Sequence, residues 1–356
     1  MSSETKTYLQ LVKECDTLPY PDEVEEYARV TSGYYHFRLK KAWKSGGPGN
    51  DNDDDDASSP SYTTVGYILP SVAAAMPWTD KFRVDHAKQT ISIPYVSDAA
   101  AGAAATSTYE TDALAEQLSL ARARDSIPIL RKWRAEAYRV LGLADGREVL
   151  IARAGSAVFG VHTVGVHMLG FQRIPSSSPS SSSSSSPSSE LRLWIARRSH
   201  TKQTFPGMLD NTVGGGLTAE DTGALACLVR EAAEEASLPA AWVRARARPV
   251  GSVSYFSVRD ERAGGPDEVG LLQPATQVLY DLEMPGGVVP RPRDGEVAEF
   301  LLWTPDQTMR ALRAGRFKLN SAVAWIDFLV RHGCIAPQDE PDYLELVARL
   351  HRRICF

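Results

Sequence analysis

The chain has 356 residues, of which 43% are hydrophobic and 23% charged, so it holds enough apolar material for a sizeable core and, by its length, for two domains. Its formal net charge of −5 argues against a nucleic-acid partner. The four cysteines show no C-x-x-C spacing, and we see neither an apolar run long enough to span a bilayer nor a signal-like N-terminus. We therefore expect a soluble, cytoplasmic protein with no membrane partner and no disulfide framework.

Short elements of mixed type are predicted in the first part of the chain. Thr7 to Cys15 has apolar residues at helical spacing, Lys81 to Pro94 is typical of two short strands, and Tyr109 to Leu141 is predicted as a long helical stretch interrupted by a proline. We predict an α+β N-terminal domain over residues 1–142. It contains an acidic loop, 45–61, that has too few apolar residues to order itself.

A serine-rich insertion over residues 173–190 separates two strand-like segments. Phe159 to Phe171 precedes it and Leu191 to Ala196 follows it, and both are rich in apolar and β-forming residues. Because the entropy of loop closure grows only slowly with loop length, we interpret the insertion as an overgrown hairpin loop within one domain. That second domain is predicted over 143–335, with a helical tail over 336–356.

Three consecutive glycines mark the start of the segment that carries chemistry. Gly214 to Gly216 end a strand-like stretch and allow a ligand to approach the backbone closely, so we predict that Gly215 and Gly216 contact the substrate. Asp210 and Asn211 precede them and are candidates for binding polar groups of a substrate ring. A local turn cap explains these two residues equally well.

A helix predicted from about Thr222 to Ala236 carries three glutamates on one face of its last turns. Glu231, Glu234 and Glu235 stand at spacings of three and four, where like charges repel each other and where the helix dipole disfavours negative charge. Such a cluster is often only a solvated helix face. A hard divalent cation would relieve the repulsion, because Mg²⁺ and Mn²⁺ prefer oxygen ligands. We predict these glutamates as metal ligands, Mg²⁺ or Mn²⁺ as the cofactor, and Arg230 as a brace for a carboxylate or a contact for a phosphate.

The glycines and the helix together resemble a known family motif. Gly216 and the R-E-x-x-E-E order that follows resemble the Nudix box, G-x5-E-x7-R-E-U-x-E-E-x-G-U, although Thr222 replaces its first glutamate and Ser237 its last glycine. The segments VGVHMLGF, DGEVAEFLLW and FKLNSAVAWIDFLVRHG further resemble the fungal and plant Nudix group related to thiamine pyrophosphokinase. This resemblance implies a Nudix α/β/α sandwich with a mixed β-sheet, preceded by a smaller α+β domain. The glutamate missing at position 222 usually assists metal binding or orients the arginine, so its absence predicts weaker metal binding.

The resemblance also implies an activity and a substrate class. The implied reaction is hydrolysis of a diphosphate linkage in a small molecule, with release of a monophosphate. In this group, oxidised or damaged forms such as oxothiamine and oxythiamine diphosphate are the suggested substrates, which implies a role in metabolite clean-up. Glu234 and Glu235 are the predicted catalytic glutamates together with Arg230, and one of the box glutamates could double as the base.

A further acidic residue outside the box is expected in such enzymes. The candidates are Asp294, Glu296 and Glu299, of which we favour Glu296 as catalytic. Four aromatic residues are candidates to stack on a heterocycle, although a core position suits each of them: Phe205, Trp242, Tyr255 and Phe256.

Two alternative functions stay open at this point. The first is a different Nudix substrate, such as the nucleotides 8-oxo-dGTP or ADP-ribose. The second is a non-catalytic Nudix-fold binding module, in which Thr222 and Ser237 would be signs of decay.

Overall fold

The structure is a computed structural model that describes residues 5–40, 62–94, 108–143, 146–175, 189–263 and 265–354. The predicted acidic loop and most of the serine-rich insertion lie outside these ranges. Within them the helices are α1 (Tyr8–Cys15), α2 (Val24–Thr31), α3 (Pro70–Ala75), α4 (Tyr109–Ala123), α5 (Arg153–Ser156), α6 (Ala224–Ala236), α7 (Ala240–Arg246), α8 (Pro305–Arg313), α9 (Leu319–Arg331) and α10 (Tyr343–Arg349). The strands are β1 (Tyr35–Lys40), β2 (Tyr62–Ile68), β3 (Arg83–Asp85), β4 (Thr90–Ile93), β5 (Ala137–Arg139), β6 (Leu150–Ala152), β7 (Thr163–Pro175), β8 (Ser189–Arg198), β9 (Leu209–Asp210), β10 (Val213–Gly216), β11 (Arg248–Val258), β12 (Leu272–Glu283) and β13 (Val297–Trp303).

A mixed seven-stranded sheet is the scaffold of the second half of the chain. Its main path runs β11-β12-β7-β8-β13, with β10 paired to β7 and β9 paired to β8. The pair β12–β7 is parallel and the remaining pairs are antiparallel. Because β7 and β8 pair up to Pro175 opposite Ser189, the strands on either side of the serine-rich insertion are hairpin neighbours, as predicted.

Helices cover both faces of this sheet. On β7, Val166 and Met168 pack with α6 and α7, whereas Leu169 and Phe171 pack with α1, α8, α9 and α10 on the opposite face. This alternation follows from the two-residue repeat of a strand, which sends successive side chains to opposite faces. The result is an α/β/α sandwich in an α+β chain, as the resemblance implied.

A second, four-stranded sheet lies in the N-terminal part. Its order is β2-β1-β4-β3, and its core packs on α4, on Phe159 and Val161, and on a residue as far along the chain as Leu271. Strands β5 and β6 pair with each other, so hydrogen bonds join the two sides of the boundary predicted after residue 142. The division into domains stays a prediction. Helix α1 packs against α9 of the sandwich although it begins the described chain.

The predicted helical stretch from Tyr109 to Leu141 is wrong in its second half. Helix α4 ends at Ala123, and Asp125 adopts a left-handed backbone with φ of 52° that no helix can continue through. A 3₁₀ turn over Pro128–Lys132 and the strand β5 follow it. In contrast, the helix predicted over Thr7 to Cys15 is confirmed, with Thr7 as its N-cap, and so are the two short strands within Lys81 to Pro94.

Two further sequence expectations concern cysteines and membranes. Among the described residues, Cys15, Cys227 and Cys334 are free thiols. Within the same ranges, the helices are too short or too polar for any of them to traverse a bilayer.

Candidate functional site

Helix α6 presents its glutamates to the glycine strand β10. The apolar stripe of α6 is buried against the sheet, so its last turns are fixed next to β10. The backbone N–H of Gly214 donates to Glu235 Oε2 at 3.1 Å. A Cβ on Gly215 would overlap the Glu231 carboxylate, and one on Gly216 would overlap the hydroxyl of Tyr138. The close approach of these groups therefore requires glycine at both positions.

The α6 glutamates line a cavity of about 540 Å³. The 294–296 loop, β10 and several cationic side chains complete its wall. It brings together seven residues that the sequence predicted for the site: Gly215, Gly216, Arg230, Glu231, Glu234, Glu235 and Glu296.

Arg230 links the carboxylates at the mouth of this cavity. Its Nη1 donates to Glu231 Oε1 at 2.9 Å and to Glu234 Oε2 at 3.3 Å. From the other side, its Nη2 donates to Asp221 Oδ2 at 3.1 Å. Burial opposes the charge on the guanidinium, but Asp221 and Glu231 outweigh it and raise the pKa of Arg230 above its usual range.

Asp221 is a site residue that the sequence reasoning missed. Its carboxylate is held by the backbone N–H and the hydroxyl of Thr218, both at 2.9 Å, and it is buried. It stands one residue before Thr222, where the Nudix box has its glutamate. The sequence did contain a signal for it, because an acidic residue directly precedes the position at which this chain departs from the box.

Burial disfavours negative charge on the two inner glutamates. It raises the pKa of Glu231 to about 7, against the opposing effect of Arg230 and with a further contribution from Glu234. Burial and then the charge of Glu231 raise the pKa of Glu235 well above its usual range, although the N–H of Gly214 opposes this. Glu234, in contrast, has a side chain that is 52% exposed. The protein itself thus does not fully stabilise the ionised form of this inner pair.

These carboxylates suit a hard divalent cation by their chemistry. Their donors are all oxygen atoms, and such an ion would stabilise the ionised forms of Glu231 and Glu235, which burial disfavours. In the part of the chain that the structure describes, no three His, Cys, Asp or Glu side chains already form a metal-ligating group. Arg230 occupies carboxylate oxygens of Glu231 and Glu234 instead, so binding a cation requires these side chains to turn.

The loop before β13 contributes the acidic candidates outside the box. Glu296 lines the cavity and pairs with Lys202. Burial works to raise its pKa, but Lys202 outweighs burial and lowers it, so Glu296 is ionised at neutral pH. Asp294 lines the same cavity and accepts the backbone N–H of Glu296 at 2.9 Å. Glu299 lies outside the cavity wall and pairs with Arg197 at 2.6 Å.

Asp210 and Asn211 lie behind the main cavity, around a small void of about 10 Å³ next to Glu235 and Glu296. Asp210 binds Arg198 at 2.6 Å and accepts a hydrogen bond from Ser321, which makes it a structural ion pair. The side-chain amide of Asn211 is buried and has no hydrogen-bond partner among the described residues. Contact of either residue with a substrate stays a prediction.

Two of the four aromatic candidates lie near the site. Phe205 and Tyr255 line a second cavity, of about 220 Å³, which adjoins the first. Trp242 packs instead at the α6–α7 side of the sheet. Phe256 is 1% exposed and belongs to a separate apolar cluster with Tyr67.

The segments on either side of the boundary predicted after residue 142 supply a wall that the sequence did not predict. Lys132, Arg134, Glu136 and Arg153 all line the main cavity. Lys132 reaches across 136 residues of sequence to pair with Glu268 at 2.6 Å. These contacts depend on how segments that are distant in sequence pack together, so no local sequence pattern predicts them.

Comparison with known proteins identifies the family. The family model for the NUDIX domain matches residues 187–325. An uncharacterised protein of Saccharomyces cerevisiae is 36% identical over 247 residues, covering 69% of this chain and 68% of that protein. The chain belongs to the Nudix family. Its Nudix domain places it among the hydrolases of pyrophosphate bonds, which generally use divalent metal ions.

Plant Nudix proteins are similar over a shorter range. Nudix hydrolase 20 and Nudix hydrolase 24 of Arabidopsis thaliana, both described as chloroplastic, are 36% and 35% identical over 209 and 208 residues. Each alignment covers 58% of this chain, which spans about half the length of these plant relatives (48% and 50%). A crystal structure from Deinococcus radiodurans is 21% identical with a TM-score of 0.35, over 61% of this chain and 100% of that chain.

Proposed function

We propose that this Nudix protein is a metal-dependent diphosphatase that hydrolyses a diphosphate linkage in a small molecule and releases a monophosphate. One observation carries the proposal. Glu231 and Glu235, from one helix turn, have buried carboxyl groups with raised pKa values beside a glycine strand at the wall of a 540 Å³ cavity. Buried carboxylates clustered in this way are unfavourable for folding. Binding of a divalent cation would explain why the protein has them.

In this proposal Glu231, Glu234 and Glu235 hold Mg²⁺ or Mn²⁺. When bound, the cation supplies positive charge that polarises a phosphorus–oxygen bond and lowers the pKa of water. Arg230 orients Glu231 and Glu234 and can turn towards a phosphate oxygen. Glu296, which is ionised beside Lys202, accepts a proton from the attacking water.

For the substrate, we propose an analogue of thiamine diphosphate that has been oxidised or otherwise damaged. The segments that resemble the thiamine-related Nudix group support this, and so does the cavity, whose wall combines acidic residues with cations able to contact a diphosphate. A role in metabolite clean-up and a cytoplasmic location belong to the same proposal.

A non-catalytic binding module is the competing interpretation, and Asp221 speaks against it. The departure at Thr222 would be a sign of decay if Arg230 had lost its acidic partner. Asp221 provides that partner from the adjacent position, with its carboxylate bound to Arg230 Nη2 at 3.1 Å.

A panel assay tests the proposed function. The purified full chain is incubated with thiamine diphosphate, oxythiamine diphosphate, oxothiamine diphosphate, ADP-ribose and 8-oxo-dGTP, each with Mg²⁺, Mn²⁺ or EDTA, and monophosphate release is measured by chromatography. We expect metal-dependent turnover that is highest on the damaged thiamine diphosphates. Highest turnover on a nucleotide contradicts the substrate proposal, and no turnover on any compound with either metal supports the binding module.

A further inference from the structure

A second cavity of about 220 Å³ adjoins the main one. Its walls come from α1, β11, β12 and the first residues of α9, which places it on the side of the site away from helix α6. The two cavities share four wall residues: Arg153, Thr204, Arg259 and Lys318. A ligand that fills the main cavity can therefore extend into the second.

Lys318 stands at the junction of the two cavities, at the N-cap of α9. Within the described ranges its ammonium group makes neither a hydrogen bond nor an ion pair. Burial lowers the pKa of Lys318, although the charges of Asp210 and Glu235 act against this. Burying an ammonium group without a direct partner costs free energy unless an anion binds to it.

Apart from Arg134, which is exposed, the other cations that line the main cavity are paired with carboxylates, which sets the more deeply placed Lys318 apart. Arg198 binds Asp210, Lys202 binds Glu296, and Arg259 binds Glu268. The protein's own carboxylates therefore largely neutralise the positive charge of these three side chains. Lys318 is thus the cation best placed to give its charge to a phosphate group of a bound molecule.

The second cavity offers a flat wall and fixed polar atoms. Tyr255 is 3% exposed, and its hydroxyl is held by Asn320 Nδ2 at 3.0 Å and Gln277 Nε2 at 2.9 Å. Phe205 forms another part of the wall and adopts a left-handed backbone, with φ of 48°, which is unusual for an aromatic residue. Rigid aromatic surface with a few oriented polar groups is what small-molecule pockets use to recognise a ring.

The volume limits what this cavity can hold. A cavity of about 150 Å³ is enough for benzene, so 220 Å³ accommodates one substituted ring and is small for a nucleoside. Given the diphosphatase function proposed above, we propose that Lys318 binds the phosphate attached to the organic group of the substrate and that the second cavity binds the adjoining ring. The substrate class is then a diphosphate ester of a compact ring alcohol.

Equilibrium binding in EDTA tests this inference without turnover. The probes are inorganic pyrophosphate, which has no ring, and thiamine diphosphate, whose thiazolium ring adjoins the diphosphate and is the ring that the second cavity is proposed to hold. Lys318→Met removes the charge, and we expect it to weaken both probes about 10-fold or more, the usual effect of losing a charge-assisted hydrogen bond. Lys318→Arg should retain most of the affinity for pyrophosphate.

Ala263→Phe fills the second cavity from its half-buried rim, at a 3₁₀ turn, and leaves the core untouched. We expect it to weaken thiamine diphosphate at least 10-fold and to leave pyrophosphate within about 2-fold. Glu261→Phe, on the exposed side of the same turn, is the matched control and should change neither probe. Circular dichroism and thermal melting verify that each variant is folded.

Three results would overturn the inference: Lys318→Met leaving both affinities unchanged, Ala263→Phe affecting both probes alike or neither, or wild type binding neither probe. These outcomes are separate from the fate of the proposed function. Loss of all metal-dependent turnover together with the expected binding pattern would reject the diphosphatase and keep the two-cavity assignment. Metal-dependent turnover without the expected binding pattern would keep the diphosphatase and reject the two-cavity assignment.

Discussion

Asp221 holds Arg230 from the side opposite the metal-site glutamates, with 3.1 Å between Asp221 Oδ2 and Arg230 Nη2. Arg230 Nε also donates to the second carboxylate oxygen, Oδ1, at 3.3 Å, so both oxygens of Asp221 bind the Nε–Nη2 edge of the guanidinium. Arg230 also binds Glu231 and Glu234, two of the proposed metal ligands. By holding Arg230 in place, Asp221 therefore helps to orient both glutamates. We infer that this acid takes over the orienting role of the glutamate that the box lacks at Thr222.

Asp221→Asn should therefore impair the site although Asp221 is not a proposed ligand. We expect turnover to fall about 10- to 100-fold and the Mg²⁺ concentration for half-maximal rate to rise, as is usual when a residue that orients metal ligands is lost. Steady-state kinetics over a Mg²⁺ titration measures both effects. Adding Thr222→Glu to this variant should restore part of the rate, because the carboxylate returns at the position the family uses. Wild-type kinetics in Asp221→Asn would show that Arg230 needs no such support.

Glu235→Gln tests the metal site itself. The variant keeps the shape of the side chain but removes a charge that burial disfavours, so its melting temperature without metal should equal or exceed that of wild type. Mg²⁺ should raise the melting temperature of wild type and not of the variant, since a ligand stabilises only the state that binds it. Turnover should fall by orders of magnitude.

Glu220→Gln is the matched control for that variant, since Glu220 is exposed and lies outside the cavity wall. It should keep the wild-type rate and the Mg²⁺-dependent stabilisation. If Glu235→Gln instead retained near-native turnover and the same metal response, Glu235 would not belong to the site.

Local patterns explain what the sequence could predict. The glutamates of α6 and the glycines of β10 lie within about 20 residues of each other, and helical spacing together with glycine chemistry was enough to bring them into one site. The strands on either side of the serine-rich insertion were likewise recognised from their alternation and composition.

Long-range packing accounts for what the sequence could not give. Arg153 and Lys318 reach the cavity from segments that are 78 and 87 residues away from Glu231, and nothing local distinguishes them from other basic residues. The error after Ala123 has the same origin, because residues 137–139 form a strand only by pairing with β6. Pairing partners override helical propensity there.

Ser237 provides a prediction about stability alone. It ends α6 in a left-handed conformation with φ of 55°, the position where the Nudix box and helix ends in general favour glycine. Ser237→Gly should raise the free energy of unfolding by about 0.5–1 kcal/mol, because glycine adopts this conformation without a steric cost. Thermal melting measures it, as a rise of roughly 1–3 °C.

Two controls isolate this backbone effect. Ser237→Ala removes the hydroxyl but keeps Cβ, so it should bring no gain. Ala314→Gly lies at the exposed end of α8, where φ is −82°, and it should destabilise because glycine only adds entropy to the unfolded chain. A gain from Ser237→Ala equal to that from glycine would assign the effect to the hydroxyl.

Asp281 provides a prediction about pH. Its carboxylate binds Arg331 through both oxygens, at 2.8 and 3.0 Å, and His332 Nε2 lies 2.9 Å away. Burial works to raise the pKa of Asp281, but His332 and Arg331 outweigh it and lower the pKa below its usual value. A carboxyl whose folded-state pKa is lowered stabilises the fold above its unfolded-state pKa, near 4, and loses that contribution as the pH falls through the folded-state value.

Asp281→Asn should consequently destabilise the protein in a pH-dependent way. At pH 7 we expect a loss of about 2–3 kcal/mol, since hydrogen bonds to charged partners are removed, and the difference from wild type should shrink below pH 4, where the wild-type carboxyl also becomes neutral. Urea unfolding followed by tryptophan fluorescence from pH 3 to 7 measures this. Asp339→Asn, on the exposed surface after α9, should follow the wild-type profile throughout. A constant difference between Asp281→Asn and wild type across this range would mean that packing, and not the charge of Asp281, stabilises this junction of β12 and α9.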